Sequence, residues 1–357
     1  MNLKKLAPVV ICVLIFFFAS FYTPADQADW NKDMATAAAA RQRGEYSVAE
    51  TLYKNAIEIQ KKALGPNNVE VAASLNNLAV LYQDESLYAE AEPLYKQSLA
   101  IWEKNPGTET QMALCLNNLG ALHREENLNA AAQEEYKRAL AIWEKTHKTE
   151  NVDAAATMAG LADTYHSQQE DANAKALYTH VLAIWEKNGM MESPEAVSTL
   201  LKLGGIYHTE KRDAEAKPLL SRALETRENM GTIDSTETIA AMDKLGEIYS
   251  SEGNYAAAAP YFAKIMEIKE RQLGPNNLEV ANSASRLALL YYCESQYSAA
   301  EPLYKKSLQI REQNLGAKDP VVLQTQQFYA ALLRQEGRKE EAKRIEAQSS
   351  RNEAIRP

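Results

Sequence analysis

A short pattern returns along this chain at a nearly constant interval, and that interval limits the folds open to it. Within residues 74–104, SLNNLAVLYQDESLYAEAEPLYKQSLAIWEK, the pair Leu78–Ala79 sets the register. The same two slots hold Leu119–Gly120, Leu161–Ala162, Leu203–Gly204, Leu245–Gly246 and Leu287–Ala288, and more faintly Tyr329–Ala330. The first step is 41 residues and the later ones are 42. Alanine keeps the same step at positions 49, 91, 132, 174, 216, 258, 300 and 342. A fixed period of this size marks stacked units, none of which buries its apolar face alone. It overrides the two globular domains that 357 residues would otherwise suggest.

Each unit reads as two helices. In the clearest one, Val71, Leu75, Leu78, Leu81 and Tyr82 recur at three- and four-residue spacings, so they share one helix face. Ser86–Leu87 is the turn, and Ala91, Leu94, Tyr95, Ser98, Leu99 and Trp102 make the buried stripe of the second helix. The small slots belong where the partner helix crosses. The aromatic slots Tyr95, Tyr136, Tyr178, Phe262 and Tyr304 fill the space between one hairpin and the next. Pro93, Pro218, Pro260 and Pro302 fall in the second turn, where proline removes about one backbone bond and bends the helix without breaking it. Thr108 with Gln111 and Asp234 with Glu237 have capping-box spacing, and Asn67 with Glu70 and Asn276 with Glu279 imitate it. Ser193–Pro194 and Asp319–Pro320 place a cap before a proline. The expectation is an all-α solenoid of about eight hairpins over residues 31–348, with a frayed tail at residues 349–357.

The N-terminus breaks the pattern. Lys4 and Lys5 precede the run LAPVVICVLIFFFASFY, and Thr23–Pro24–Ala25 follows it. A basic start, an apolar core and a small-residue exit predict a secretory signal over residues 1–25. An uncleaved membrane anchor over residues 6–22 is the alternative, since 17 residues sit at the lower edge of a span. The protein is therefore expected outside the cytoplasmic membrane, periplasmic or secreted, or anchored to that membrane. A net charge of −9 argues against nucleic acid and against general attraction to anionic lipid. Cys115 and Cys293 lie about four periods apart in an array where units touch only their neighbours. They are expected to be packed thiols and not a disulfide.

The slots Leu78, Ala79, Tyr82, Ala91 and Tyr95 resemble those of the tetratricopeptide repeat. The 42-residue step, with LNNLA, AEPLY and the LGPNNVEVA joint, is similar to the repeats of kinesin light chains and their bacterial relatives. The N-terminal coiled coil of true kinesin light chains has no counterpart here, so the motor-adaptor role does not carry over. The resemblance implies a right-handed superhelical solenoid of tetratricopeptide-type hairpins whose first helices line a concave, peptide-binding groove.

In such repeats the residue before the leucine slot tends to face the groove. Here it reads Asn77, Asn118, Gly160, Lys202, Lys244 and Arg286, with Asn76 and Asn117 beside the first two. Amides can both donate to and accept from an extended peptide backbone, and cations suit acidic groups or a terminal carboxylate. Against this stands the reading that these are solvated polar residues, with Asp243 and Glu247 near enough to neutralise the cations. Trp102, Trp143 and Trp185 share one slot near the end of the second helix. They are either an aromatic recognition stripe or, in line with Ala91, Tyr95 and Leu99, packing against the next hairpin, and alignment favours packing. The five histidines form no site, and HExxH, CxxC, phosphate-loop and GxSxG patterns are lacking. No catalytic residue, metal or cofactor is expected. The function expected is a non-catalytic scaffold for a protein or peptide partner. The alternatives are a component of a secretion or polysaccharide-handling envelope machine, or a membrane-anchored regulatory subunit.

Overall fold

The computed structural model describes the backbone of residues 24–354 and the side chains of residues 30–350. The anchor expected over residues 6–22 lies outside the described residues, as does the leader expected over residues 1–25 up to residue 23. Among these residues there are sixteen α-helices and no strand. Two compact units are present, Met1–Thr199 and Leu200–Pro357. In the first, hairpins pair α1 (Pro24–Gln42) with α2 (Tyr46–Leu64) and α3 (Val69–Asp84) with α4 (Tyr88–Trp102). They continue with α5 (Glu109–Glu125) and α6 (Asn129–Lys145), then α7 (Val152–Ser167) and α8 (Asp171–Lys187). The boundary falls inside α9 (Pro194–Thr209). The second unit continues with α10 (Asp213–Asn229), α11 (Thr236–Ser251), α12 (Tyr255–Leu273) and α13 (Leu278–Cys293). It ends with α14 (Tyr297–Leu315), α15 (Pro320–Gln335) and α16 (Lys339–Ala354).

The core is built on the recurring slots. All eight alanines of the second-helix series, from Ala49 to Ala342, are completely buried. The aromatic slot packs in two directions. A Cβ added at Gly120 would stand 3.0 Å from the Tyr136 ring, and one at Gly160 would stand 2.5 Å from it. Gly120 is on the same hairpin as Tyr136 and Gly160 is on the next, so one phenol ring fills both interfaces. Gly246 faces Phe262 in the same way, at 2.5 Å. A side chain in these glycine slots would overpack the crossing, at a cost of about 1–3 kcal/mol. Successive hairpins are also stitched at the surface. The Tyr82 hydroxyl donates to Glu50 Oε1 at 2.8 Å, and Lys54 holds the same carboxylate at 2.7 Å. His123 meets Glu92 at 3.4 Å, with Lys96 on that carboxylate. Lys137 and Lys217 lie over Tyr165 and Tyr249 at 5.5 and 4.8 Å.

The turns repeat as strictly as the core. Every first helix ends on a residue with positive φ: Gly44, Ser86, Asn127, Gln169, Lys211, Gly253, Ser295 and Gly337. Leu87 N–H donates to the Tyr82 carbonyl and Ser86 N–H to that of Gln83, which is a Schellman closure. The same pair of bonds closes α5, α7, α9, α11, α13 and α15. Glycine at 65, 107, 189, 231, 274 and 316, with His147 in the remaining position, turns the chain back into the next unit.

Several expectations shift by a residue or more. The caps are Asn68, Asn277 and Ser235, each one residue after the expected Asn67, Asn276 and Asp234. The turn opened at Gly65 ends at Asn68, which has the extended backbone a cap requires. Thr108 precedes α5 but does not cap it, because its hydroxyl donates to the Trp102 and Asn105 carbonyls. Ser193 and Asp319 do cap, accepting from the Ala196 and Val321 amides. The four prolines lie within α4, α10, α12 and α14, which run on through them. The tail expected to fray from Ser349 instead extends α16 to Ala354, and Ser349 itself is buried. Cys115 is buried and free, as expected, but Cys293 is exposed at the last residue of α13.

The α16 cap is fastened through Glu301 on α14. Its carboxylate accepts from Tyr329 at 2.9 Å and pairs with Lys305 and Arg338, each at 2.9 Å. Those donors, Lys305 foremost, hold its carboxyl down at about 2, from an ordinary 4.5.

Two outcomes follow for stability. Gln169→Gly and Lys211→Gly remove an αL penalty from exposed turns and should each add about 0.5–1 kcal/mol in denaturant unfolding. A depressed carboxylate stabilises fully above its unfolded value, and that contribution is lost as pH falls through the folded one. Wild type should therefore be more stable than Glu301→Gln above pH 4.5, and the difference should vanish as pH falls to about 2.

Candidate functional site

In the first unit, α3 touches α5 and α5 touches α7, whereas no two second helices there approach one another as extensively. The first helices thus form the closer-packed side of the curve. Asn76 and Asn77 on α3, and Asn117 and Asn118 on α5, are all half-buried on these neighbouring helices. None of the four side-chain amides bonds to another described residue. The Asn76 Oδ1 is buried without a donor. Unpaired amides of this kind carry a desolvation cost of about 1–3 kcal/mol that an incoming donor relieves.

The slot is not purely a groove position. Gly160 occupies it beneath the Tyr136 ring of the preceding hairpin. In the second unit, Arg286 occupies it over the Phe262 ring, 4.4 Å from the centroid, and Phe328 occupies it against Tyr304 at 6.5 Å. In each case the residue lies 24 positions after the ring it covers. The slot therefore roofs the aromatic of the hairpin before it and shows only its other side to solvent.

The three cations expected in the second unit do not form a uniform basic strip. Lys202 is half-buried on α9. The Lys244 stem passes along Gly205, and a Cβ there would sit 3.6 Å from Lys244 Cε. Arg286 is neutralised, with one guanidinium nitrogen 2.5 Å from Asp243 Oδ1 and another 3.0 Å from Glu247 Oε1. Glu247 also faces His208 Nε2 at 3.5 Å, while His208 Nδ1 lies 2.7 Å from Asp213. An Asp213–His208–Glu247–Arg286–Asp243 ladder thus joins α10, α9, α11 and α13. All its members retain solvent contact, so each pair contributes only about 0–1 kcal/mol.

The tryptophan stripe is core and not a recognition surface. Trp102, Trp143 and Trp185 are 4%, 0% and 2% exposed. Trp143 Nε1 donates to Thr157 Oγ1 across to the next first helix, at 3.3 Å. Farther along, the same slot carries cations that do the same work with charge. Arg227 pairs with Glu237 at 3.5 Å and Lys269 with Glu279 at 2.8 Å. Arg311 donates to Thr325 and, at 2.8 Å, to Asn282.

No cluster of three or more metal-ligating side chains occurs among the described residues. Burial pushes the Cys115 thiol well above the thiolate-forming range, which removes its nucleophilicity. No described helix is long and apolar enough to cross a membrane.

The tetratricopeptide repeat profile matches in seven overlapping windows: residues 33–104, 70–145, 111–187, 153–229, 195–271, 237–313 and 279–352. The chain belongs to the tetratricopeptide repeat family. Tetratricopeptide arrays bind protein or peptide segments, and their fold is in general non-catalytic. BtubC (BKLC) from P. vanneervenii is similar in structure, with TM-score 0.51, 19% identity, and 69% of this chain and 92% of that one covered. PilF of Pseudomonas aeruginosa gives 0.54 at 17% identity, covering 72% and 97%. The apo form of RapI gives 0.57 at 13%, covering 80% and 98%. These likenesses show the fold. Comparison with curated protein sequences gave no match. The repeats are of the type similar to those of kinesin light chains, as the 42-residue step implies.

Trp30 is also buried, at 4% exposure, so every tryptophan of this tetratricopeptide protein is shielded. Native fluorescence should be blue-shifted and nearly insensitive to iodide, with quenching appearing on unfolding. Trp143→Ala should cost about 3–5 kcal/mol in stability.

Proposed function

We propose that the protein is a non-catalytic interaction scaffold that holds an extended peptide or protein segment against its first helices, outside the cytoplasmic membrane. The observation that carries the reading is the quartet Asn76, Asn77, Asn117 and Asn118. These amides sit on adjacent first helices, half-buried and without internal partners, one with a buried oxygen lacking any donor. An extended backbone presents N–H and C=O groups in alternation, and a carboxamide answers both. Backbone contact of this kind supports binding with little sequence demand, so selectivity falls to residues elsewhere on the first helices. The basic and apolar start of the chain supports the external location.

The test begins with affinity capture by the purified chain from an envelope extract and identification of the retained partner. Asn77→Ala with Asn118→Ala should then weaken that partner about tenfold, two hydrogen-bonding positions at roughly 0.5–1.5 kcal/mol each. Unchanged affinity in a folded double variant overturns the amide reading. N-terminal sequencing of the protein from fractionated cells tests the location, and an intact start recovered in the cytosol overturns it.

A further inference from the structure

Arg286 is held by three groups that together make a complete receptor for a guanidinium. Asp243 and Glu247 stand one turn apart on α11, and each accepts from a different nitrogen of the same fork, at 2.5 and 3.0 Å. Phe262 on α12 supplies a ring face 4.4 Å from the guanidinium carbon. Two carboxylates in the plane of the fork and an aromatic face against it match arginine and not lysine. The ammonium is a point charge and cannot present two parallel donors while stacking. His208 Nε2 lies 3.5 Å from the other Glu247 oxygen.

This arrangement is particular to one repeat. One period earlier, the Asp243, Glu247, Phe262 and Arg286 slots hold Leu201, Gly205, Leu220 and Lys244. One period later they hold Ser285, Leu289, Tyr304 and Phe328. The array needs a cover over each ring, but elsewhere glycine or phenylalanine in the Arg286 slot suffices. Paired acids are not a packing requirement of the slot. The receptor also faces water: the Arg286, Asp243 and Glu247 side chains are 43%, 38% and 48% exposed. Ion pairs this open are screened and exchange readily.

We propose that Asp243, Glu247 and Phe262 form an arginine-binding subsite, which Arg286 fills in the free protein and an arginine of the bound segment takes over. The inference rests on the reading that partners lie along the first helices, and it adds the partner's chemistry in the second unit. Arg286 acts as an internal occupant. It keeps the two acids from repelling one another when no partner is present, and it sets a threshold that a lone cation does not pass. An arginine carried on a segment already gripped elsewhere arrives at high local concentration and displaces it.

The test uses the full chain and blocked tripeptides, Ac-Ala-Arg-Ala-NH2 and Ac-Ala-Lys-Ala-NH2, titrated by NMR at low salt. Arg286→Ala removes the internal competitor, so the arginine peptide should bind it about tenfold more tightly than it binds wild type. It should also bind Arg286→Ala more tightly than the lysine peptide does. Adding Asp243→Asn and Glu247→Gln should abolish the gain. Equal arginine-peptide affinity for wild type and Arg286→Ala, or equal affinity of the two peptides for Arg286→Ala, overturns the proposal. Arg286→Gln keeps a side chain over Phe262 and gives the same comparison if the alanine variant does not fold. The amides of the first unit are untouched in every variant. Failure here therefore leaves the Asn77 and Asn118 test standing, and failure there leaves this one.

Discussion

The packing of one aromatic ring into the small slot of its own hairpin and against a cover from the next hairpin, glycine, arginine or phenylalanine, carries most of what this structure is. Tyr136 enters the crossing at Gly120 within its own hairpin and reaches under Gly160 of the next. The same side chain thus closes the hairpin and fixes the neighbour at a set distance. A stack built this way cannot lose the small slots or the ring independently. Enlarging either forces the helices apart, and shrinking the ring opens a void shared by two interfaces. The alanines of the second helices complete the closure, since all eight are fully buried. Charge and hydrogen bonding at the edges, such as Tyr82 with Glu50 and Lys54, add register to a stack that apolar packing already holds.

Much of this was legible in the sequence because a packing constraint repeats when its geometry repeats. Leu78, Ala79, Ala91 and Tyr95 recur with little freedom, and the Ser86–Leu87 turn they imply falls between α3 and α4. The left-handed turn residue was not legible. Its slot holds glycine three times but otherwise serine, asparagine, glutamine or lysine, because the αL penalty is small enough to be borne by a stack this cooperative. The caps were misplaced by one because Asn67 and Asn68 are chemically alike, and only the backbone of the preceding turn separates them. Extension of α16 past Ser349 was hidden by a composition that is almost entirely polar, although Ala342 and Ser349 still turn inward.

The candidate site was half legible for a physical reason. Sequence aligns slots within a period, but the role of the slot before the leucine depends on a ring 24 positions earlier, in another hairpin. Asn77 and Asn118 could be placed on the first helices without knowing that ring. Asp243 and Glu247 could be named as neutralising acids, but their convergence on Arg286 could not, because Phe262 beneath it lies in another hairpin. A run of lysine and arginine in one column left open a set of groove cations or one neutralised by Asp243 and Glu247. For Arg286 the structure gives the second, with Asp243 and Glu247 both on its guanidinium.

Drift within a single slot shows how far packing tolerates a change of chemistry. The slot near the end of the second helix holds buried tryptophan at 102, 143 and 185, and then Arg227, Lys269 and Arg311. A cation can replace an indole there only if its charge is answered. Glu237 and Glu279, each ten residues onward, answer the first two. The third breaks the rule, since position 321 is an exposed valine, and the buried Arg311 relies on Thr325 and Asn282 in its place. Burial holds its pKa below the ordinary arginine value, with Asp319 opposing that shift from a distance. These neutral acceptors take two of the guanidinium nitrogens and leave its Nε buried without a partner, and they do not cancel its charge, so this interface is the least compensated of the three. Two units with unlike side chains nonetheless use one acceptor position: an Nε1–H to Thr157 in one and a guanidinium N–H to Thr325 in another reach a hydroxyl 14 residues on.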